Sequence, residues 1–335
     1  MKRARFIRSA GAAAATAIAA GTAPAFAADG VTTQLLWIKN VEYAGFWIAD
    51  AEGYYAREGI AASFLSGGPN LASVEAIVAA GRADIGVDEI AKVADAVAQG
   101  EDFVAFGAIY QHPVAGLLSL PKNPIRTARD IVGKKIGLQQ GAKEYIDGIL
   151  TLNHLPVNYT EVPVGFDPQP LVEGACDGYL CYLTAQPLVL SARGVPYVLA
   201  SFETLGYHGV ADALFTTRAY LAQNRDRVVR WLRASARGWE TNRHDPRLGA
   251  NLTVDRYGAS LGLERAQQLA TNRAQIPLIA GNPHLPEHGA LAISAAEVGG
   301  PVYRTLRAIG KTDLPAVKRL VDESIFRDAF PARRA

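Results

Sequence analysis

Apolar positions along this chain switch between the period of a strand and the period of a helix, again and again. Gln34 to Ile38 predicts a short strand, Asn40 to Tyr43 a turn, and Gly45 to Arg57 a helix. That helix places apolar and aromatic residues on one side and Asp50, Glu52, Arg57 and Glu58 mostly on the other. Gly59 ends it, and Ile60 to Leu65 predicts the next strand. Leu71 to Ala80 then reads as a helix, Ala83 to Val87 as a strand, Glu89 to Ala98 as a helix and Phe103 to Tyr110 as a strand. Strands alternating with helices of this length imply crossovers and a mostly parallel sheet.

His112-Pro113 interrupts the run, and a second series with the same grammar follows. Strands are expected at Val114 to Leu120, Lys135 to Leu138, Tyr159 to Val164, Gly178 to Tyr182 and Tyr197 to Ser201. Helices fall between them at Lys143 to Leu155, Pro170 to Ala175 and Gln186 to Ala192. Val210 to Thr216 reads as a return strand. From Arg218 onward the spacing is helical: Tyr220 to Asn242, Leu263 to Ile276, Ala295 to Ile309 and Leu314 to Glu323. The pattern predicts one α/β lobe over 28–113 and 208–335, helical tail included, and a second over 114–207.

Composition changes this picture at the start of the chain. Lys2, Arg3, Arg5 and Arg8 precede the small apolar run Gly11 to Ala23, and Ala25-Phe26-Ala27 fits a cleavage site. Residues 1–27 therefore read as an export signal, and the mature protein is expected in the periplasm. Loss of the four basic residues takes the formal charge from +2 to −2, which argues against nucleic acid as a partner. Cys176 and Cys181, on an extended segment, would have Cα atoms roughly 16 Å apart, so two separate thiols are expected. The chain carries no G-x-S-x-G, P-loop or H-E-x-x-H pattern.

Several stretches, in order, resemble a family of solute-binding proteins. They are Leu36 to Asn40, Ala44 to Ala49, Glu52 to Tyr55, Glu58 to Ile60, Gly81 to Gly86, Leu117 to Leu120, Asp130 to Gly137 and Glu173 to Tyr182. The resemblance is to proteins that bind thiamine-pyrimidine precursors, with relatives that bind sulfonates, taurine or nitrate. It implies an α/β, two-lobed periplasmic binding protein of type II-like organisation, with two hinge crossings and a helical C-terminal tail. It also implies one small-molecule ligand, an ABC permease in the inner membrane as partner, a monomer, no cofactor and no catalysis. A fungal branch synthesises the pyrimidine and carries a cysteine-rich iron-binding loop after the second crossing; here that place, Leu205 to Ala211, has no cysteine.

Ligands of open α/β sheets sit beyond the carboxyl ends of the strands. Trp37 is the candidate for stacking on a flat ligand, with a core position as the alternative. Asn40 and Tyr43 offer hydrogen bonds, or turn chemistry. Asn70 lies in a glycine-containing turn and Asp88 at a helix start, each a cap or a ligand contact. From the second lobe, Gln140 and Glu144 would pair with amino groups and Tyr182 would line the cleft. Trp47 is read as packing and Glu42 as solvated. No Arg lies at either glycine-containing rim, which favours a nitrogen-containing aromatic over a sulfonate, taurine or nitrate anion. The rival of another class is an enzyme on the same fold.

Overall fold

A computed structural model describes residues 28–279 and 289–331 of the 335-residue chain. The export signal expected at 1–27 lies outside the described residues. The first sheet uses β1 (Asp29–Gln34), β2 (Ile60–Leu65), β3 (Ile85–Asp88) and β4 (Phe103–Tyr110). Between them run α1 (Ala44–Ala51), α2 (Tyr54–Arg57), α3 (Val74–Ala79) and α4 (Ile90–Ala98). The second sheet uses β5 (Ala115–Ser119), β6 (Lys135–Leu138), β7 (Thr160–Pro163), β8 (Gly178–Tyr182) and β9 (Val198–Ser201). Its helices are α5 (Lys143–Leu152), α6 (Gln169–Val172) and α7 (Gln186–Ala192). β10 (Ala211–Thr217) returns to the first sheet, so the orders are β2-β1-β3-β10-β4 and β7-β6-β8-β5-β9. The chain crosses between sheets twice, after Tyr110 and after Ser201. His112 Nδ1 and Glu203 Oε1 lie 2.7 Å apart, tying one crossing to the foot of the other.

The helical region follows as α8 (Arg218–His244), α9 (Pro246–Leu252), α10 (Arg265–Ile279), α11 (Ala295–Glu297), α12 (Tyr303–Ala308), α13 (Val317–Leu320) and α14 (Ser324–Ala329). Thr217 caps α8, its hydroxyl accepting from the Tyr220 N–H at 3.1 Å. Trp231 or Leu232, then Ser235 and Trp239, recur three to four residues apart and turn one face of α8 inward onto α1. The helices approach so closely that a Cβ at Gly238 would lie 2.0 Å from the Gly45 carbonyl oxygen. Phe46, Phe64, Tyr55 and Trp231 fill the space beneath, with Phe46 and Phe64 stacked at 5.6 Å. Full burial of a side chain such as Phe46 contributes about 3 kcal/mol. Separate apolar clusters flank each face of each sheet, four in all, two to a sheet.

Four expectations are corrected. β1 ends at Gln34, where a strand was expected to begin, because Asp29 to Gln34 pair residue for residue with Ile60 to Leu65. The helix over Gly45 to Arg57 is two, broken where Gly53 takes a left-handed φ of 68°. The sheets are mixed: β1 and β6 pair in parallel with their neighbours, whereas β5 and β10 run antiparallel to theirs. The helix expected from Leu71 starts at Val74, so its cap is Ser73 rather than Asn70. Cys176 and Cys181 are both free and buried, and burial pushes their thiols up to about 11 and about 12.

Candidate functional site

The early end of β1 releases Trp37 into the loop beyond the strand. The residue is 37% exposed, while its backbone N–H donates to the Tyr43 hydroxyl at 3.0 Å. A short 3-10 turn, Val41–Tyr43, follows. The Asn40 side chain caps it by accepting the Glu42 N–H at 2.9 Å. The Asn40 carbonyl accepts from Trp47 Nε1, also at 2.9 Å. Trp47 is fully buried and stacks on Tyr257 at 4.4 Å, as its helical spacing suggests.

The turn is held from behind by α10. Gln268 Oε1 accepts the Val41 N–H at 3.0 Å, and Gln275 Nε2 donates to the Val41 carbonyl at 2.8 Å. Tyr110 donates to Gln275 Oε1 at 2.7 Å, and Gln275 in turn bonds Asn272, which pairs with Asn242. Both polar groups of Val41 are thus satisfied by one helix face, which fixes where Glu42 points.

Glu42 is half-buried rather than freely solvated, contrary to expectation. Burial raises its carboxyl above the ordinary range, and it sits against the Tyr43 hydroxyl, the Asp212 carboxyl and the Asn40 amide. Asp212, at the start of β10, is 3% exposed and holds a left-handed φ of 52°. Burial and the charge of Glu42 push its carboxyl well up. Asp88 ends β3 and accepts the Glu89 N–H at 2.7 Å; burial, then the charge of Glu75, raises it to about 7. Glu89 opens α4, and burial with Asp88 beside it raises its carboxyl to about 8. Lys92 is the cation acting on Asp88 and Glu89, whereas the strongest influences on Glu42 and Asp212 are burial, neighbouring acids and neutral hydrogen-bonding groups.

The second sheet answers with aromatics. Tyr145, Phe202 and Tyr207 form a ring cluster with centroids 5.5–5.9 Å apart. The Glu89 charge reaches Tyr145, Tyr182 and Tyr207, and that of Glu42 also reaches Tyr182. Tyr182 is 44% exposed at the carboxyl end of β8. The two rims therefore face each other: carboxyls on the first sheet, phenols on the second. Thr271 of α10 bridges them by donating to the Thr184 carbonyl at 3.2 Å.

Of the residues expected from sequence, Asn40 and Asp88 act on the Glu42 and Asp212 carboxyls, Tyr182 feels the charge of Glu42 and Glu89, and Trp37 is tied to the turn through its backbone N–H. Glu144 stands at its edge, its charge reaching Tyr145 and Tyr207. Tyr43 is corrected: with no exposed surface, stacked on Phe46, it positions Glu42 and Trp37 instead of meeting a ligand. Asn70 and Gln140 are exposed, outside the network. The neighbour Gln139 is the engaged amide, donating to the carbonyls of Gly165 and Leu180 at 3.2 and 3.1 Å. Glu89, Tyr145, Asp212 and the α10 glutamines were not singled out by sequence. A cavity of about 330 Å³ between α2 and α8 lies at the opposite, amino ends of the strands. Among the described residues no group of three or more His, Cys, Asp or Glu is arranged to hold a metal ion.

Comparison with known proteins places this geometry. The chain is 30% identical over 145 residues to 4-amino-5-hydroxymethyl-2-methylpyrimidine phosphate synthase of Schizosaccharomyces pombe, 42% of either chain. It is 26% identical over 216 residues to the riboflavin-binding protein RibY of Chloroflexus aurantiacus, 62% of this chain and 61% of that one. The match thus spans less than half of the length of the synthase. In solved structures, the fold superposes on a putative periplasmic sulfonate-binding protein SsuA of Methylobacillus flagellatus with a TM-score of 0.63 at 15% identity, covering 90% of this chain and 94% of that one. The profile of the NMT1/THI5-like family matches residues 40–248, from the capping Asn40 through the whole second sheet and α8. With more than half of its length inside that match, and with the two-lobed fold of periplasmic binding proteins, the chain belongs to the NMT1/THI5-like family.

Proposed function

We propose that this protein is the exported, periplasmic solute-binding component of an ABC importer. Residues 28–113 with 208–335, and 114–207, are the two bodies that close on a flat nitrogen-containing aromatic of the thiamine-pyrimidine class. A permease then receives the loaded form. One observation carries the reading: a partly exposed tryptophan and a row of carboxyls belong to one rim, and the exposed phenol of Tyr182, with half-buried Tyr145 behind it, belongs to the other. Aromatic faces suit a flat ring, and carboxyls suit its amino groups and ring nitrogens. A sulfonate or nitrate would face the carboxyl row, which offers an anion few donors and repels it as its members ionise.

Catalysis is the second reading, favoured by the names of the synthases related to this chain. One experiment separates them. A ligand at a hundred times its dissociation constant stabilises the native state by about 2.7 kcal/mol. A clear upward shift in melting temperature is expected with 4-amino-5-hydroxymethyl-2-methylpyrimidine and none with taurine or nitrate. The reverse pattern removes the proposal. Chemical change of the bound pyrimidine, followed by proton NMR, would make the protein an enzyme.

A further inference from the structure

Glu42 and Asp212 come from distant parts of the chain to the same buried spot beneath the cleft. Glu42 is partly exposed, and Asp212 lies behind it. The Glu42 main chain is fixed by Asn40, and its neighbour Val41 is fixed by Gln268 and Gln275. The Tyr43 hydroxyl stands beside the Glu42 carboxyl and already takes the Trp37 N–H. The Asp212 carboxyl lies within hydrogen-bonding reach of the Glu42 carboxyl, and its Oδ2 is buried with no donor to it among the described residues. A buried acceptor left unpaired is costly unless something else supplies the donor.

The groups that act most strongly on the pair are acids or neutral hydrogen-bonding groups. Asn40 and Tyr43 act from the turn, and Asp88 and Glu89 from the β3–α4 junction. Tyr110 of β4 and Tyr182 of β8 feel its charge from their own strands. Lys92 acts on Asp88 and Glu89. Two carboxyls in contact cannot both ionise cheaply, so the pair retains a proton. It can then offer an O–H to a ring nitrogen and an oxygen to an amino group at once.

We propose that the Glu42–Asp212 pair is the element that reads the ligand, selecting an amidine-type edge, an amino group beside a ring nitrogen. This rests on the reading of the cleft as a binding site for a flat nitrogen heterocycle and adds which edge of it is recognised. On binding, the pair's proton moves to or is shared with the ring nitrogen. The amino group donates to the carboxylate oxygen so exposed. Two parallel hydrogen bonds result, of the kind that pair Arg with a carboxylate. The positive charge is spread over the heterocycle, whose face is free to lie on Trp37 and the phenols opposite.

Calorimetric titration of the whole chain tests this with 4-amino-5-hydroxymethyl-2-methylpyrimidine and its analogue lacking the amino group. The wild type is expected to prefer the amino compound at least tenfold. Glu42→Gln and Asp212→Asn should each reduce that preference to about threefold or less. Asn tolerates the left-handed backbone of position 212, so the second variant keeps the fold. The wild-type comparison needs no variant at all. A preference retained in both variants, or absent in the wild type while both pyrimidines bind, overturns the proposal. If neither pyrimidine binds, benzamidine distinguishes the cases. Benzamidine binding that Glu42→Gln weakens tenfold or more keeps the amidine-reading pair and removes the pyrimidine ligand. Taurine binding in place of all three, indifferent to both variants, overturns pair and ligand together.

Discussion

Trp37 is 37% exposed and belongs to none of the four apolar clusters. Trp37→Ala is therefore expected to weaken binding of a flat aromatic by roughly ten- to a hundredfold, the 1–3 kcal/mol of a stacked ring. Melting temperature should stay within about 2 °C, because an exposed side chain away from packing rarely changes stability by more than about 0.5 kcal/mol. Calorimetric titration with a melting curve reads both, and unaltered affinity would remove the stack. The exposure of Trp37 was legible, because it follows an apolar strand segment and precedes a polar turn. Glu42 was not, since its partner Asp212 lies far along the chain and the turn's own pattern leaves Glu42 on the polar side. Tyr43 was misjudged for a related reason. A phenol at a rim looks available, yet its ring completes the stack with Phe46 while its hydroxyl serves Trp37 and Glu42.

The α10 helix was legible as a helix but not as a support for the site. Gln268, Asn272 and Gln275 are polar at helical spacing, which from sequence describes a solvated face; all three are buried. Only the tertiary partners Val41, Asn242 and Tyr110 explain them. Gln275→Leu leaves the Val41 carbonyl and the Tyr110 hydroxyl without their partners. Such losses cost about 1–3 kcal/mol each. Urea denaturation is expected to show a loss of at least 2 kcal/mol, with weaker ligand binding as the turn carrying Glu42 loosens. Unchanged stability would mean water replaces the glutamine. The contact of α1 with α8 makes a second prediction at this scale. Gly238→Ala would drive a methyl into the Gly45 carbonyl, and a loss of 1–3 kcal/mol or more is expected in the same measurement. Strand direction was the least legible feature. β5 and β10 are reached by the two crossings rather than by a local helix, and periodicity says nothing about which way a returning strand enters.

For the whole molecule, the facing rims make charge the quantity that couples stability to occupancy. Burial raises Asp88 to about 7 and Glu89 to about 8, with a neighbouring carboxylate adding to each. In the unfolded chain both ionise near 4. Between about pH 4 and 8 the native chain holds more protons, so its stability falls as pH rises through that window. Stability from these groups is complete below about 4 and is lost as pH passes 7 and then 8. Asp29 and Asp130, which Arg230 and backbone N–H groups hold low, act in the opposite sense at acid pH, so the measurement belongs above pH 5.5. The summed effect is a few kcal/mol, and the melting temperature of the empty protein should fall by about 5 °C or more from pH 5.5 to 9. Asp88→Asn with Glu89→Gln should flatten that slope. A ligand carrying positive charge relieves the same repulsion, so the rise in melting temperature that it causes should grow with pH over this range. An anion would add to the repulsion, and the rise it causes should shrink. The sign of that dependence, read from melting curves at three pH values with each ligand, reports the charge that the cleft is built to hold.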